Sequence, residues 1–281
     1  DAERQIINLH LLFNVALLAS CLPLTGPVGA LLDKLIKPKL TAEELANPLA
    51  EAASALDQSV VSQPALALAS ATRELLRMAE LIERMLKPLM ELYETGDPEK
   101  IRQARQLERA VNQAESEIKL YLAKIEYGGE DEIRRGHELS SFAINLEYVG
   151  DAITKTLLKL AETRRDQQLS FSPQGWRELN ELHHRVMGNM QLALNVLVSK
   201  DRESARQLLL EKSAVSEAGR ASYGQHLTRL RSGTTESVET SNIHLETVRA
   251  LKTINSLFAS VAYPILQQSG DLLDSRLAKN S

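Results

Sequence analysis

Between residues 139 and 160 the apolar side chains advance by alternating steps of three and four. Leu139, Phe142, Leu146, Val149, Ile153 and Leu160 keep the count, with Thr156 filling one step. That spacing is the seam of a helix packed against other helices. A strand turns its side chains over every two residues and could not gather the same set on one face. A second stripe, Leu75, Met78, Leu81, Ile82, Met85, Leu86 and Leu89, obeys the same rule. Met78 and Met85 in it, with Met90 just beyond, read as core packing. Composition agrees: 43% of residues are hydrophobic but only 4% are aromatic, and no stretch alternates as a half-buried strand would. The chain is expected to be all-α.

From Pro64 onward six helical segments are expected, in two sets of three. The first set covers about 64–93, 98–126 and 130–166. Pro88 kinks or ends the regular part of its first helix. Asp97-Pro98 supplies a cap and a first-turn proline, and Gly128-Gly129 closes the second helix. The second set covers about 176–198, 201–230 and 235–273. The two sets look alike: Leu107-Glu108-Arg109 matches Leu210-Glu211-Lys212, and Asn145-Leu146-Glu147 matches His244-Leu245-Glu246, about one hundred residues on. Repetition at that period means two copies of one bundle rather than a solenoid. The expected architecture is two tandem three-helix bundles, repeat 1 over about 64–168 and repeat 2 over about 173–275.

Ahead of the bundles, Ile6 to Leu32 contains no Asp, Glu, Lys or Arg. About 20 apolar residues suffice to cross a bilayer. Asn8, His10, Asn14, Pro23, Gly26 and Pro27 interrupt the run, so a membrane helix here would want other helices around it. Lys34, Lys37 and Lys39 follow, which places the C-terminal side in the cytoplasm by the positive-inside rule. A buried helix of a soluble domain and a surface hairpin split at Pro23-Pro27 compete with this reading. A signal peptide does not, because acidic residues precede the run and lysines follow it. The expectation is a terminal transmembrane segment over 1–39, meeting the membrane through residues 6–36. A connector over 40–63, punctuated by Pro48, leads to a helical domain over 64–281. The absence of an initial methionine agrees with a fragment of a larger membrane protein.

Glu147 and Asp151 lie four apart beside the 139–160 seam, so they share a face outside it. Gly150 costs a helix interior about 1 kcal/mol against alanine, which suggests a close approach there. The stretch Leu146-Glu147-Tyr148-Val149-Gly150-Asp151 resembles the signature of PhoU domains, helical regulators of phosphate uptake built as paired three-helix bundles. The resemblance implies surface carboxylates that hold metal ions: Glu147 and Asp151, with Glu108 and Asn112 from the preceding helix. A divalent or trivalent cation would suit such hard oxygen donors. In the second repeat Ala250 and Val215 stand where partners to Glu246 and Glu211 would be, which puts a second cluster in doubt. The bland reading of the first is a solvated acidic face.

His10-Leu11-Leu12-Phe13-Asn14 is similar to the opening of a late transmembrane segment in bacterial sodium/phosphate cotransporters, many of which end in a PhoU-like domain. This resemblance implies a cytoplasmic regulatory domain joined to the last membrane segment of a sodium-dependent phosphate transporter of the inner membrane. Phosphate and sodium would be handled by an upstream transporter domain, and a homodimer is a further expectation. The rival reading is a soluble PhoU-type adaptor acting in trans on a transporter or sensor kinase; a purely structural scaffold is a third. Nucleic acid is not an expected partner, given a net charge of −4. No nucleophile elbow, phosphate loop, dinucleotide fingerprint or zinc motif is present, so no enzyme is expected. Cys21 is the one cysteine, so no disulfide framework is possible. His183 and His184 are adjacent and point about 100° apart on a helix. His137 and His244 stand singly and read as surface residues.

Overall fold

The computed structural model describes residues 2–21 and 54–271. The chain divides into two compact units, Asp1–Glu51 and Ala52–Ser281. The first contains helix α1, Ala2–Cys21. Leu11, Leu12, Phe13, Val15, Leu17 and Leu18 of α1 are exposed. Of the expected membrane-spanning segment over 1–39, only residues 2–21 are described, and among the described residues no helix is long and apolar enough to cross a membrane. Glu3, Arg4 and Gln5 occupy the first turns of α1, and Asn8, His10 and Asn14 dilute the rest. Residues 22–39 of the expected segment, and the connector as far as 53, lie outside the described residues.

Among the described residues of the second unit every regular element is helical, without strands. Its first half comprises α2 (Pro64–Leu86), α3 (Leu89–Thr95), α4 (Pro98–Leu122), α5 (Glu130–Asp151), a π-helical stretch (Ala152–Leu157) and α6 (Leu158–Asp166). Its second half comprises α7 (Pro173–Ser199), α8 (Arg202–Arg231), α9 (Thr235–Glu239), α10 (Ser241–Phe258), a 3₁₀ turn (Ala259–Val261) and α11 (Ala262–Gln268). Helices α2, α4 and α5 pack on one another, as do α7, α8 and α10. The starts follow local rules: Asp97 caps α4, Ser172 caps α7 and Asp201 caps α8 through side-chain oxygens, with prolines in the first turns of α4 and α7. Gly96 takes the left-handed conformation that ends α3. Residues 54–63 are tied to the first half, with Ala55 N donating to Glu74 Oε2 at 2.6 Å and Tyr121 Oη donating to Asp57 O at 2.7 Å.

Pro88 acts as expected, interrupting the first helix between Leu86 and Leu89. Met78, Met85 and Met90 are core residues, together with Leu75, Ile82 and Leu146. The two halves meet along α5 against α10 and α2 against α7. Polar struts cross this junction: Tyr93 Oη to Thr247 Oγ1 at 2.7 Å, His183 Nε2 to Leu86 O at 2.9 Å, and Asn145 Nδ2 to Ser260 Oγ at 2.8 Å. The His183 bond supplies a partner to one of the last carbonyls of α2, which its own helix leaves without a donor.

Candidate functional site

Helices α4 and α5 are joined by a short turn and run antiparallel, so the C-terminal end of α5 returns to the middle of α4. An ideal Cβ placed on Gly150 would lie 3.5 Å from Val111 Cγ1 and 3.9 Å from Glu108 Cγ. This register brings the pair Glu108 and Asn112 of α4 beside the pair Glu147 and Asp151 of α5. All four sequence-predicted residues therefore share one face. Asn112 Nδ2 donates to Glu108 Oε1 at 2.7 Å. Asp151 Oδ2 accepts from Lys155 Nζ at 2.6 Å. The amide oxygen of Asn112, Oδ1, and the other carboxylate oxygen of Asp151, Oδ1, are buried and have no hydrogen-bond partner.

The electrostatics are those of crowded carboxylates. Partial burial pushes the Glu147 carboxyl above its usual range, and the charges of Asp151, Glu115 and Glu108 push it the same way; Lys155 opposes them. The hydrogen bond to Asp151 raises the Lys155 ammonium, with further help from the charges of Asp151, Glu108 and Glu147. Glu115 is nearly buried and pairs with Lys119 at 2.8 Å. Lys155, Glu115 and Lys119 belong to this face and were not anticipated from the motif. The i, i+4 spacing of Asp151 to Lys155 and of Glu115 to Lys119 is the signal that marks them.

The donor set is all oxygen and leaves two acceptors unpartnered, which suits a hard cation. It is nevertheless an open set. Among the described residues no group of three or more His, Cys, Asp and Glu side chains is gathered closely enough to hold a metal ion. The positive charge nearest Asp151 is the chain's own Lys155.

The π stretch begins immediately after Asp151. Thr154 Oγ1 donates to Gly150 O at 3.0 Å at the start of the widened turn. Single π turns within helices frequently mark functional positions. The corresponding face of the second half is different. Val215 and Ala250 are buried, Glu246 pairs with Arg249 at 2.9 Å, and Glu211 accepts from Gln207 at 2.8 Å. A cavity of about 700 Å³ lies elsewhere, between α5 and α11, lined by Phe142, Leu197, Tyr263 and Pro264 among others. It contains none of the acidic-face residues.

The second half carries a buried polar network that the sequence reading missed. His244, expected at the surface, is buried. The reason is that α10 turns it inward, toward Glu178 of α7 and Ser222 and Arg229 of α8. His183 is also buried, and His184 is exposed.

Comparison with known proteins adds the following. Residues 75–158 match the model of the PhoU domain. The chain is 31% identical over 265 residues to a protein of Escherichia coli (strain K12) described as "Putative inorganic phosphate export protein YjbB", covering 94% of this chain and 48% of that protein. Its counterpart in Salmonella typhimurium is 32% identical over the same shares. The chain thus spans about half the length of the curated relatives it matches. Among solved structures, PhoU from Pseudomonas aeruginosa superposes with a TM-score of 0.65 at 19% identity, over 73% of this chain and 98% of that one. The phosphate transport system regulatory protein PhoU from Streptococcus pneumoniae gives a TM-score of 0.66 at 16% identity, over 76% of this chain and 100% of that one. These likenesses establish the fold as PhoU-like.

Proposed function

From the premise that the chain carries a PhoU domain, we propose that residues 64–281 are the cytoplasmic regulatory part of a phosphate transporter. In this reading residues 1–39 are the end of its membrane domain. A PhoU-type domain is regulatory and is not an enzyme. Phosphate, with sodium as the coupled ion, would pass through a domain upstream of Asp1, in the inner membrane. The extent of the match to the phosphate export protein carries the reading. Its 265 aligned residues are more than the Ala52–Ser281 unit contains, so the similarity reaches into the N-terminal unit. The exposed leucines and Phe13 of α1 support it, since a contiguous apolar surface wants a partner. So does Asn14, whose amide is tied to His10 O at 2.8 Å, leaving less of it to satisfy in lipid. Within this reading Glu108, Asn112, Glu147 and Asp151 are the surface on which a divalent or trivalent cation would act, in competition with Lys155.

The test is transport by the longer protein with its chain cut after Lys39. Phosphate flux should persist with an altered rate or control. Complete loss of flux from a stably inserted truncation would refute the proposal. A second reading, a soluble adaptor acting in trans, is favoured by the lack of a membrane-length apolar helix among the described residues. Fractionation of residues 1–281 against a chain starting at Ala42 separates the two. Equal solubility without detergent supports the adaptor.

A further inference from the structure

Three helices of the second half, α7, α8 and α10, bring titratable groups together in its interior. Glu178 on α7 accepts from Arg229 on α8, Nη1 at 2.6 Å and Nη2 at 3.1 Å. It also accepts from Ser222 Oγ at 2.7 Å. With its proton committed to Glu178, Ser222 Oγ accepts from His244 Nε2 on α10 at 3.0 Å. This assigns the His244 proton to Nε2 and leaves a lone pair on Nδ1. That lone pair faces the first turn of α7, where an ideal Cβ on Gly175 would be 3.4 Å away. His226 of α8 stacks on His244 with centroids 4.7 Å apart and planes 8° apart. Its Nε2 is 2.9 Å from Ser241 Oγ, and its Nδ1 is buried without a partner. Each ring is 1% exposed.

Every route to a charged ring is opposed. A proton on His226 Nδ1 would bury an N–H with no acceptor. A proton on His244 Nδ1 would aim a cation at the N-terminal turn of α7, the positive end of that helix. The charged and titratable groups facing the pair are Glu178, Arg229 and the rings themselves. Glu178 is the only anion among these, and Arg229 and Ser222 already engage it. Burial first, then the neighbouring His226, holds the His244 imidazole down at about 4 against an ordinary value of 6.5, with Arg229 adding to the effect and Glu178 opposing it. Burial, then Arg229, also lowers His226.

We infer that the stacked His226–His244 pair is an acid-sensitive latch, closed while both rings are neutral, that lets the α8–α9–α10 end of the second bundle open on proton uptake. Because the folded values are depressed, the latch contributes its full stability above about pH 6.5, the ordinary histidine value. That contribution is lost as the pH falls toward 4. Acidification would thus loosen one end of the second bundle and leave the first bundle intact, giving the domain an input separate from its acidic face.

Amide hydrogen exchange on the full chain tests this at pH 7 and pH 5, with rates corrected for intrinsic chemistry. A single histidine titrating near 4 when closed and near 6.5 when open makes opening about 20-fold more favourable at pH 5 than at pH 7. Corrected exchange in residues 222–248 should rise by about that factor, while residues 104–122 stay unchanged. His244→Phe and His226→Phe each keep an aromatic ring in the stack and remove a proton site, so each should flatten the response. Proton NMR titration of the wild-type imidazoles gives a check independent of variant folding: the His244 ring should remain neutral down to about pH 5, and His226 should titrate below the ordinary histidine range. An imidazole of this pair titrating near 6.5, an equal acid response in both halves, or an undiminished response in both variants would overturn the latch.

Discussion

Replacing Gly150 by alanine should stabilise the protein. Sequence alone argues the other way, because a glycine inside a helix invites the idea that something lies too close for a methyl group. The surroundings say otherwise. A Cβ at Gly150 would meet Ile82 Cδ1 at 3.4 Å, Val111 Cγ1 at 3.5 Å and Glu108 Cγ at 3.9 Å. Those are near the optimum separation of carbon atoms, about 3.5–4.0 Å. The methyl would gain about 1 kcal/mol of helix propensity. Burial would add a further amount of up to about 0.8 kcal/mol, reduced by the small adjustment asked of Ile82. A net gain of about 1 kcal/mol corresponds to a rise in Tm of about 2–4 °C in a domain of this size class. Gly136, also buried in α5, is the control. Its added Cβ would come within 2.3 Å of Tyr127 Oη, which donates to Leu122 O at 2.9 Å. Moving Tyr127 loses that bond and forces repacking, so Gly136→Ala should cost about 1–2 kcal/mol net. Calorimetric or urea unfolding of the full chain decides the matter. Shifts of the same sign in both variants would refute the claim that local contact distance sets the outcome.

Glu178→Ala should destabilise by about 3–5 kcal/mol, because it strands the buried Arg229 guanidinium; Glu181→Ala, which breaks an exposed pair with Arg185, should cost under about 1 kcal/mol. Urea unfolding of the two variants gives the comparison, and equal losses would contradict it. Glu147→Gln should stabilise slightly at pH 7, by about 0.2–0.5 kcal/mol, by relieving repulsion from Asp151 one turn away. Since the Glu147 carboxyl is raised in the fold, ionising it weakens the native state, so this gain should vanish as the pH falls below the carboxylate range. A gain that persists at low pH would point to packing instead. On Asp151 a divalent cation competes with the Lys155 ammonium, so Lys155→Gln should enlarge the thermal shift produced by Mn²⁺. Equal shifts with and without Lys155, or none in either, would mark the face as ordinary solvated surface.

Periodicity made the helices legible, and cap residues made their starts legible, because both are encoded within a few residues. The i, i+4 rule found Glu147 with Asp151 and Glu108 with Asn112. The same spacing marks Lys155 as the counter-ion of Asp151. The 130–166 segment reads as one helix, and no residue type announces that the turn after Asp151 widens. His244 was misread for a different reason. Its partners Glu178, Ser222 and Arg229 are between 15 and 66 residues away along the chain, and only the packing of α7, α8 and α10 brings them together. A single histidine in a polar stretch carries no mark of that. The apolar run from Ile6 shows a further limit. Hydropathy registers an uncharged stretch, but the polar side chains within α1 decide whether a helix there can stand in lipid alone.

The struts between the two halves bear on how the protein comes apart. Two three-helix bundles joined by a linker alone would melt independently. Tyr93, His183 and Asn145 remove that freedom. Each sends a polar atom into the other half, so cutting the halves apart would strand donors and acceptors on both sides, those of Tyr93 and His183 among buried ones. The two halves are locked: heat should dissolve both in one transition, and changes in either must be compatible with the other.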